Sequence, residues 1–152
     1  MKRWLKKIGL TLLICFVLLQ FYQPARNKSN GQDLGKDFMT AYNPPDNIKN
    51  ILHTSCYDCH SNNTNYMWYD YIQPARMLVE SHIGKGKKEL NFSEWADYST
   101  RKQGTKLDRI LKQVQKGKMP LKSYTMLHTS AKLNMEEKQQ LIDWLKKINT
   151  NE

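Results

Sequence analysis

Apolar residues along this chain fall into one unbroken run and three helically spaced sets. The run, Ile8 to Tyr22, is fifteen residues without a charge and follows the basic leader Met1-Lys2-Arg3-Trp4-Leu5-Lys6-Lys7. Its length lies between the apolar core of a cleavable signal peptide and the roughly 20 residues of a spanning helix. Leu18-Leu19-Gln20-Phe21-Tyr22 offers no small-x-small cleavage site, so we expect residues 1–22 to act as an uncleaved signal anchor, with a cleaved signal peptide as the alternative. The positive-inside rule then leaves the basic end in the cytoplasm and sets Trp4, Phe21 and Tyr22 near the interfaces of the inner membrane. The rest of the chain is expected on the periplasmic, extracytoplasmic side. Cys15 reads as an apolar membrane cysteine, because Leu12-Leu13-Ile14 lacks the small residue that precedes a lipoprotein acceptor.

Residues 23–42 are polar, contain Gly31 and Gly35 and show no periodicity, which predicts a flexible spacer. From residue 43 to 150 helical spacing sets in, and no stretch alternates in the manner of a strand. Pro44 and Pro45 mark the start of a helix carrying Ile48, Ile51 and Leu52, with Asp46 as its expected cap. Leu107, Ile110, Leu111 and Val114 follow the i, i+3, i+4, i+7 rule, and Gly117 supplies a stop. The last helix opens with Asn134 as cap and Glu137 at the third position of a capping box. It carries Leu141, Ile142, Trp144, Leu145 and Ile148 on one stripe, with Lys146 and Lys147 at its negative end. The expected fold class is all-α: a small helical domain with long loops, preceded by one N-terminal transmembrane helix.

Composition changes this picture little. The net charge of +10 would suit a nucleic-acid partner, yet Lys2, Arg3, Lys6, Lys7 and Arg26 flank the apolar run. The remaining excess is scattered along helices rather than gathered in a nucleic-acid motif. It suits instead a solvated surface that docks an acidic redox partner. Size matters more, because a domain this small buries a limited core and commonly needs a disulfide, metal or cofactor.

Cys56-Tyr57-Asp58-Cys59-His60 is C-x-x-C-H, the attachment sequence of c-type haem. Residues three apart on a helical turn face one side, so both thiols can form thioethers to one porphyrin edge while His60 offers its imidazole to the iron. One covalent haem c is the expected cofactor, and export agrees with it, because c-haem is attached after translocation. Two rivals stand beside this reading. A structural zinc site would use His53, Cys56, Cys59 and His60, although His60 follows Cys59 too closely for easy tetrahedral ligation. A thiol–disulfide pair normally belongs to a βαβ context, and no strands are predicted here.

Pro44-Pro45 with Ile51-Leu52, the run from Ser55 to Asn62, Trp68-Tyr69, Leu90 to Trp95, Gly117, Met119-Pro120, Tyr124, His128 and the last helix together resemble the mono-haem haem-binding domain family, a branch of the cytochrome c-like proteins. The likeness covers nearly the whole region after the spacer. It departs from the family pattern at Met67, where a proline is expected before Trp68. The resemblance implies a cytochrome c-like helical fold and haem binding, without defining a biochemical role.

Met119-Pro120 lies between the second and third predicted helices, where a class I cytochrome c places its distal methionine, and the proline stiffens that loop. Met119 is therefore the expected sixth ligand, with His128 as the alternative and a gap-filling core methionine as the plainer role. His82 is expected to face solvent, and His53, one turn before Cys56, to reach only the haem edge. Met126 lacks a following proline and is the weaker methionine. Pro74 is placed like the proline whose carbonyl receives the second nitrogen of the ligating histidine in class I cytochromes. Trp68, Trp95 and Tyr124 are expected to pack on the haem or bond its propionates, ordinary aromatic core being the alternative for each.

An iron held by His60 and Met119 has no open position, which fits an electron carrier rather than an enzyme. The alternative is a haem-based sensor or peroxidase-type accessory domain with an open or displaceable sixth position. The expected partner is a redox protein, including a larger haem enzyme. No Ser-His-Asp arrangement, phosphate-binding glycine loop or paired carboxylates points to other catalysis.

Overall fold

The structure, a computed structural model, describes residues 2–31 and 33–150. Met1, the first residue of the expected leader, lies outside the described residues. Among those described the chain is helical without strands, in agreement with the all-α expectation.

The expected transmembrane segment is corrected by the first helix, α1 (Lys2–Leu19). No helix among the described residues is long and apolar enough to cross a membrane. The reason lies in where α1 starts and stops. It takes Lys2, Arg3, Lys6 and Lys7 into its opening turns and ends at Leu19, so its uncharged part spans only about 18 Å at 1.5 Å per residue, against about 30 Å of hydrocarbon. Gln20 ends it: its side chain accepts from the Gln73 amide at 3.0 Å and turns the chain toward the folded body. Gln73 Nε2 then donates to the Tyr22 carbonyl, and Arg76 donates to Gln23 and Pro24. Membrane anchoring through this helix, and the inner-membrane, periplasm-facing placement built on it, lose their basis.

The described residues of the stretch read as a flexible spacer, 23–31 and 33–42, are also tied to the folded body. Asn27 Nδ2 donates to the Ser61 carbonyl at 2.8 Å, and the Asn27 carbonyl accepts from Thr64 at 3.0 Å. A 3₁₀ turn at Leu34–Lys36 leads into α2 (Phe38–Tyr42), whose N-cap Asp37 accepts from the Met39 amide. Phe38 is 0% exposed. It lies 4.7 Å from Trp95 and 4.8 Å from Phe92, ring centre to ring centre, with Trp144 at 5.9 Å. Sequence spacing missed it because one buried aromatic among polar neighbours leaves no periodic trace.

Next comes α3 (Asp46–Leu52), which buries Ile48, Ile51 and Leu52; Pro45 is its cap and Asp46 its first residue. The helix widens into a π turn at His53–Tyr57 and closes with α4 (Asp58–His60). After a 3₁₀ turn at Trp68–Tyr71, α5 (Ala75–Glu89) lies against α4. Beyond the 3₁₀ segment Phe92–Asp97 follow α6 (Thr100–Gln115), the short α7 (Lys122–Thr125) and α8 (Met135–Asn149). The capping box of Asn134 and Glu137 is present. Gly117 ends the α6 region at a φ of 62°, a conformation that favours glycine. The core joins Leu107 and Val114 of α6 to Leu141, Ile142 and Leu145 of α8 and to the α3 stripe.

Phe38→Ala should cost about 3–5 kcal/mol, the usual range for emptying a buried phenylalanine site, read by denaturant unfolding. A change below about 1 kcal/mol would mean that residues 34–42 hang loosely on the domain.

Candidate functional site

The π turn and α4 bring Cys56, Cys59 and His60 onto one short stretch of backbone. What fixes that stretch is the close approach of α5. A Cβ at Gly86 would stand 2.7 Å from the Cys59 carbonyl oxygen, so only glycine lets the two backbones touch. The contact puts the carbonyls of Gly86 and Leu90 at 3.1 and 3.0 Å from His60 Nδ1. Carbonyls only accept, so Nδ1 carries the proton, and Nε2 keeps its lone pair as a ligand atom. Burial pulls the imidazole pKa below its ordinary value; the two carbonyls oppose this and nearby Lys106 reinforces it. The neutral form needed for metal ligation is thereby favoured.

The other side of the motif is pinned through Asp58. Its carboxylate accepts from Tyr124 Oη at 2.6 Å and from the Asn65 amide at 2.9 Å, and its carbonyl accepts from Thr64 at 2.6 Å. Tyr57, between the cysteines, donates to Asp37 at 2.7 Å and stacks on Phe92 with rings 5.0 Å apart and 11° from parallel.

His60 opens onto a cleft of two adjoining lobes of about 210 and 190 Å³, which share Ser55, His60, Glu89 and Met119. Cys56 lines the first with Leu90, Phe92, Ile110 and Val114. Cys59 lines the second with His82, Pro120, Leu121 and Tyr124. Met119 reaches both lobes from the loop after α6, where the amides of Lys118 and Met119 both donate to the Gln113 carbonyl, at 3.0 and 3.4 Å. The structure thus brings both cysteines, His60 and Met119 to one largely apolar cleft.

The rival readings of the cysteines fare worse. Burial pushes the Cys56 thiol up to about 12, with Cys59 adding, and the Cys59 thiol to about 11, with Asp58 and Asp70 adding. A disulfide exchanger needs the opposite shift. His53, required for the zinc site, packs on Tyr57 with ring centres 5.0 Å apart and lines a separate cavity of about 800 Å³. Among the described residues no group of three or more His, Cys, Asp or Glu side chains is arranged to hold a metal ion.

Several expected companions of the haem lie elsewhere. Pro74 is the N-cap of α5, and its carbonyl accepts from the Leu78 amide at 3.3 Å; Gly86 and Leu90 take the role assigned to it. Trp68 is 74% exposed and packs on Tyr69. Trp95, 1% exposed, belongs to the Phe38 cluster and lines neither lobe. Tyr124 does line the second lobe. His128 stacks on Tyr124 at 4.1 Å, meets Tyr69 Oη at 3.1 Å and lines cavities other than the two lobes. His82, expected in solvent, lines the second lobe. Its signal was available, since His82 and Gly86 are four apart on one helical face, but Gly84 and Gly86 masked the helix.

A neutral imidazole with a free Nε2, a methionine lining the same apolar cleft and a cysteine lining each of its lobes suit a porphyrin, whose iron asks the protein for ligand atoms and whose ring asks for apolar walls. The fold and site therefore define a small all-helical haem protein. The sequence profile of the haem-binding domain family matches residues 14–147, and the chain belongs to that family. The match takes in the folded stretch first read as a spacer. No curated protein and no solved structure matches the chain.

Two glycines of α5 test the contact that orients His60. Gly86→Ala should destabilise by about 1–3 kcal/mol through overpacking against Cys59. Gly84→Ala, whose Cβ would meet nothing within 4 Å, should stabilise by about 0.5–1 kcal/mol. Thermal unfolding of both variants checks the pair; equal effects would refute the close-approach account.

Proposed function

We propose that this protein is a mono-haem c-type cytochrome: one haem joined through thioethers to Cys56 and Cys59, ligated by His60 and Met119, and used to carry single electrons to and from a redox partner protein. The observation that carries the reading is the shared cleft, in which His60 and Met119 line the same two lobes and each cysteine lines one of them. Bound there, haem supplies a one-electron iron couple.

The chain's own residues supply the rest. The carbonyls of Gly86 and Leu90 hold the His60 ring by its Nδ1 proton, so the ligand nitrogen needs no reorientation. Met119, as the second residue to hold the iron, would supply a thioether that raises the reduction potential and would leave no position for substrate. Leu90, Phe92, Ile110 and Val114 give the first lobe apolar walls, which limit the change in solvation that accompanies a change in iron charge. Two covalent links suit a domain whose core is small.

Protein produced with a c-haem maturation system should keep its haem through acid–acetone extraction; haem that is stripped away would remove the covalent assignment. In the unmodified protein the ferrous form should be low-spin and bind carbon monoxide slowly or not at all. Met119→Ala should open the sixth position to carbon monoxide and lower the reduction potential. Rapid binding by the unmodified protein, unchanged in Met119→Ala, would replace the carrier with a protein whose sixth position is open.

A further inference from the structure

Lys106 and Arg109 stand three residues apart on α6 and so share a face. Both line the first lobe together with Cys56, His60 and Met119. The same two side chains, with Arg101 and Lys102, also line an open pocket of about 310 Å³. The apolar lobe therefore gives onto a basic vestibule, and Lys106 and Arg109 form the threshold.

The charge balance at this threshold is incomplete. Lys106 is only 7% exposed, and its ammonium donates to the Glu89 carbonyl and lies 4.8 Å over the Tyr98 ring. Among the described residues it forms no ion pair. Burial lowers its pKa first, and Lys102 and Arg109 lower it further, with Glu89 alone opposing. Arg109 meets the Glu89 carboxylate at 3.6 Å, but both side chains are largely exposed; such a pair is weak and easily exchanged. With no ion pair of its own and with Lys102 and Arg109 beside it, Lys106 makes the threshold favour an incoming anion.

Haem is an apolar ring that carries two carboxylates on one edge, which is the pattern of an apolar lobe ending in two cations. We propose that Lys106 and Arg109 bind the haem propionates, Arg109 by exchanging Glu89 for a propionate and Lys106 by gaining the carboxylate it lacks. This rests on the reading of the cleft as the haem site. The second lobe has one lysine or arginine among its lining residues, the exposed Lys85.

The test uses the haem-loaded full chain and its covalent attachment, which keeps haem in every variant. Arg109→Gln and Lys106→Met should each shift the propionate bending mode in the resonance Raman spectrum and lower the reduction potential, since a nearby positive charge stabilises the reduced, less positive iron. Lys106→Arg should return both toward the unmodified values. Arg101→Gln, which touches only the vestibule, should leave the bending mode in place. Arg109 is exposed, so its variant decides the matter if Lys106→Met fails to fold. An unchanged bending mode in Arg109→Gln and in any folded Lys106 variant, with haem fully retained, would overturn the proposal and leave the haem site standing. Failure of the unmodified protein to acquire haem would overturn both.

Discussion

The touching of two backbones, α5 on the turn that carries Cys59 and His60, is the constraint on which the site depends. It requires the missing side chain of Gly86, and it sets the Gly86 and Leu90 carbonyls on one imidazole nitrogen. Once that nitrogen is committed, the tautomer, the ring direction and the free lone pair follow together. The orienting groups are neutral and cannot titrate, so the basicity of His60 is not coupled through them to the pH of the medium, as it would be through a carboxylate. A helix whose glycines look like interruptions is thus held in place by tertiary contact, and one of those glycines is what the contact needs.

How much was legible in the sequence follows from how local each feature is. The last helix declares itself through a cap, a capping box and an apolar stripe within fifteen residues, and it forms as Met135–Asn149. The cysteine motif is equally local, and so is the 3.6-residue spacing that marks α6. By contrast, the partners of His60 lie 26 and 30 residues away, and no periodicity announces them. The helix that carries Gly86 was hidden by its low intrinsic propensity. Trp95 takes the plainer of the two roles open to it, aromatic core, and Trp68 lies at the surface; residue type alone does not separate these placements from packing on a cofactor.

The N-terminal reading failed for a related reason. A hydropathy count treats Ile8 to Tyr22 as one unit, whereas the folded chain divides it at Gln20, whose side chain answers the backbone of Gln73, 53 residues away. Residues 23–31 and 33–42 then run along the domain, and Asp37 receives the hydroxyl of Tyr57 within the cysteine motif. The segment that looked like a spacer is one of the walls behind the site.

The loop that presents Met119 has a consequence of its own. It hangs from α6 through the Gln113 carbonyl, and α6 is buttressed by α8, while His60 belongs to the assembly of α3, α4 and α5. The two faces of the cleft therefore rest on different helices that meet behind it, where α3 packs on α8, and the cleft is a seam between them. A molecule gripped from both sides acts as a rivet across that seam: part of its binding free energy is invested in joining the halves, so occupancy and global stability rise and fall together.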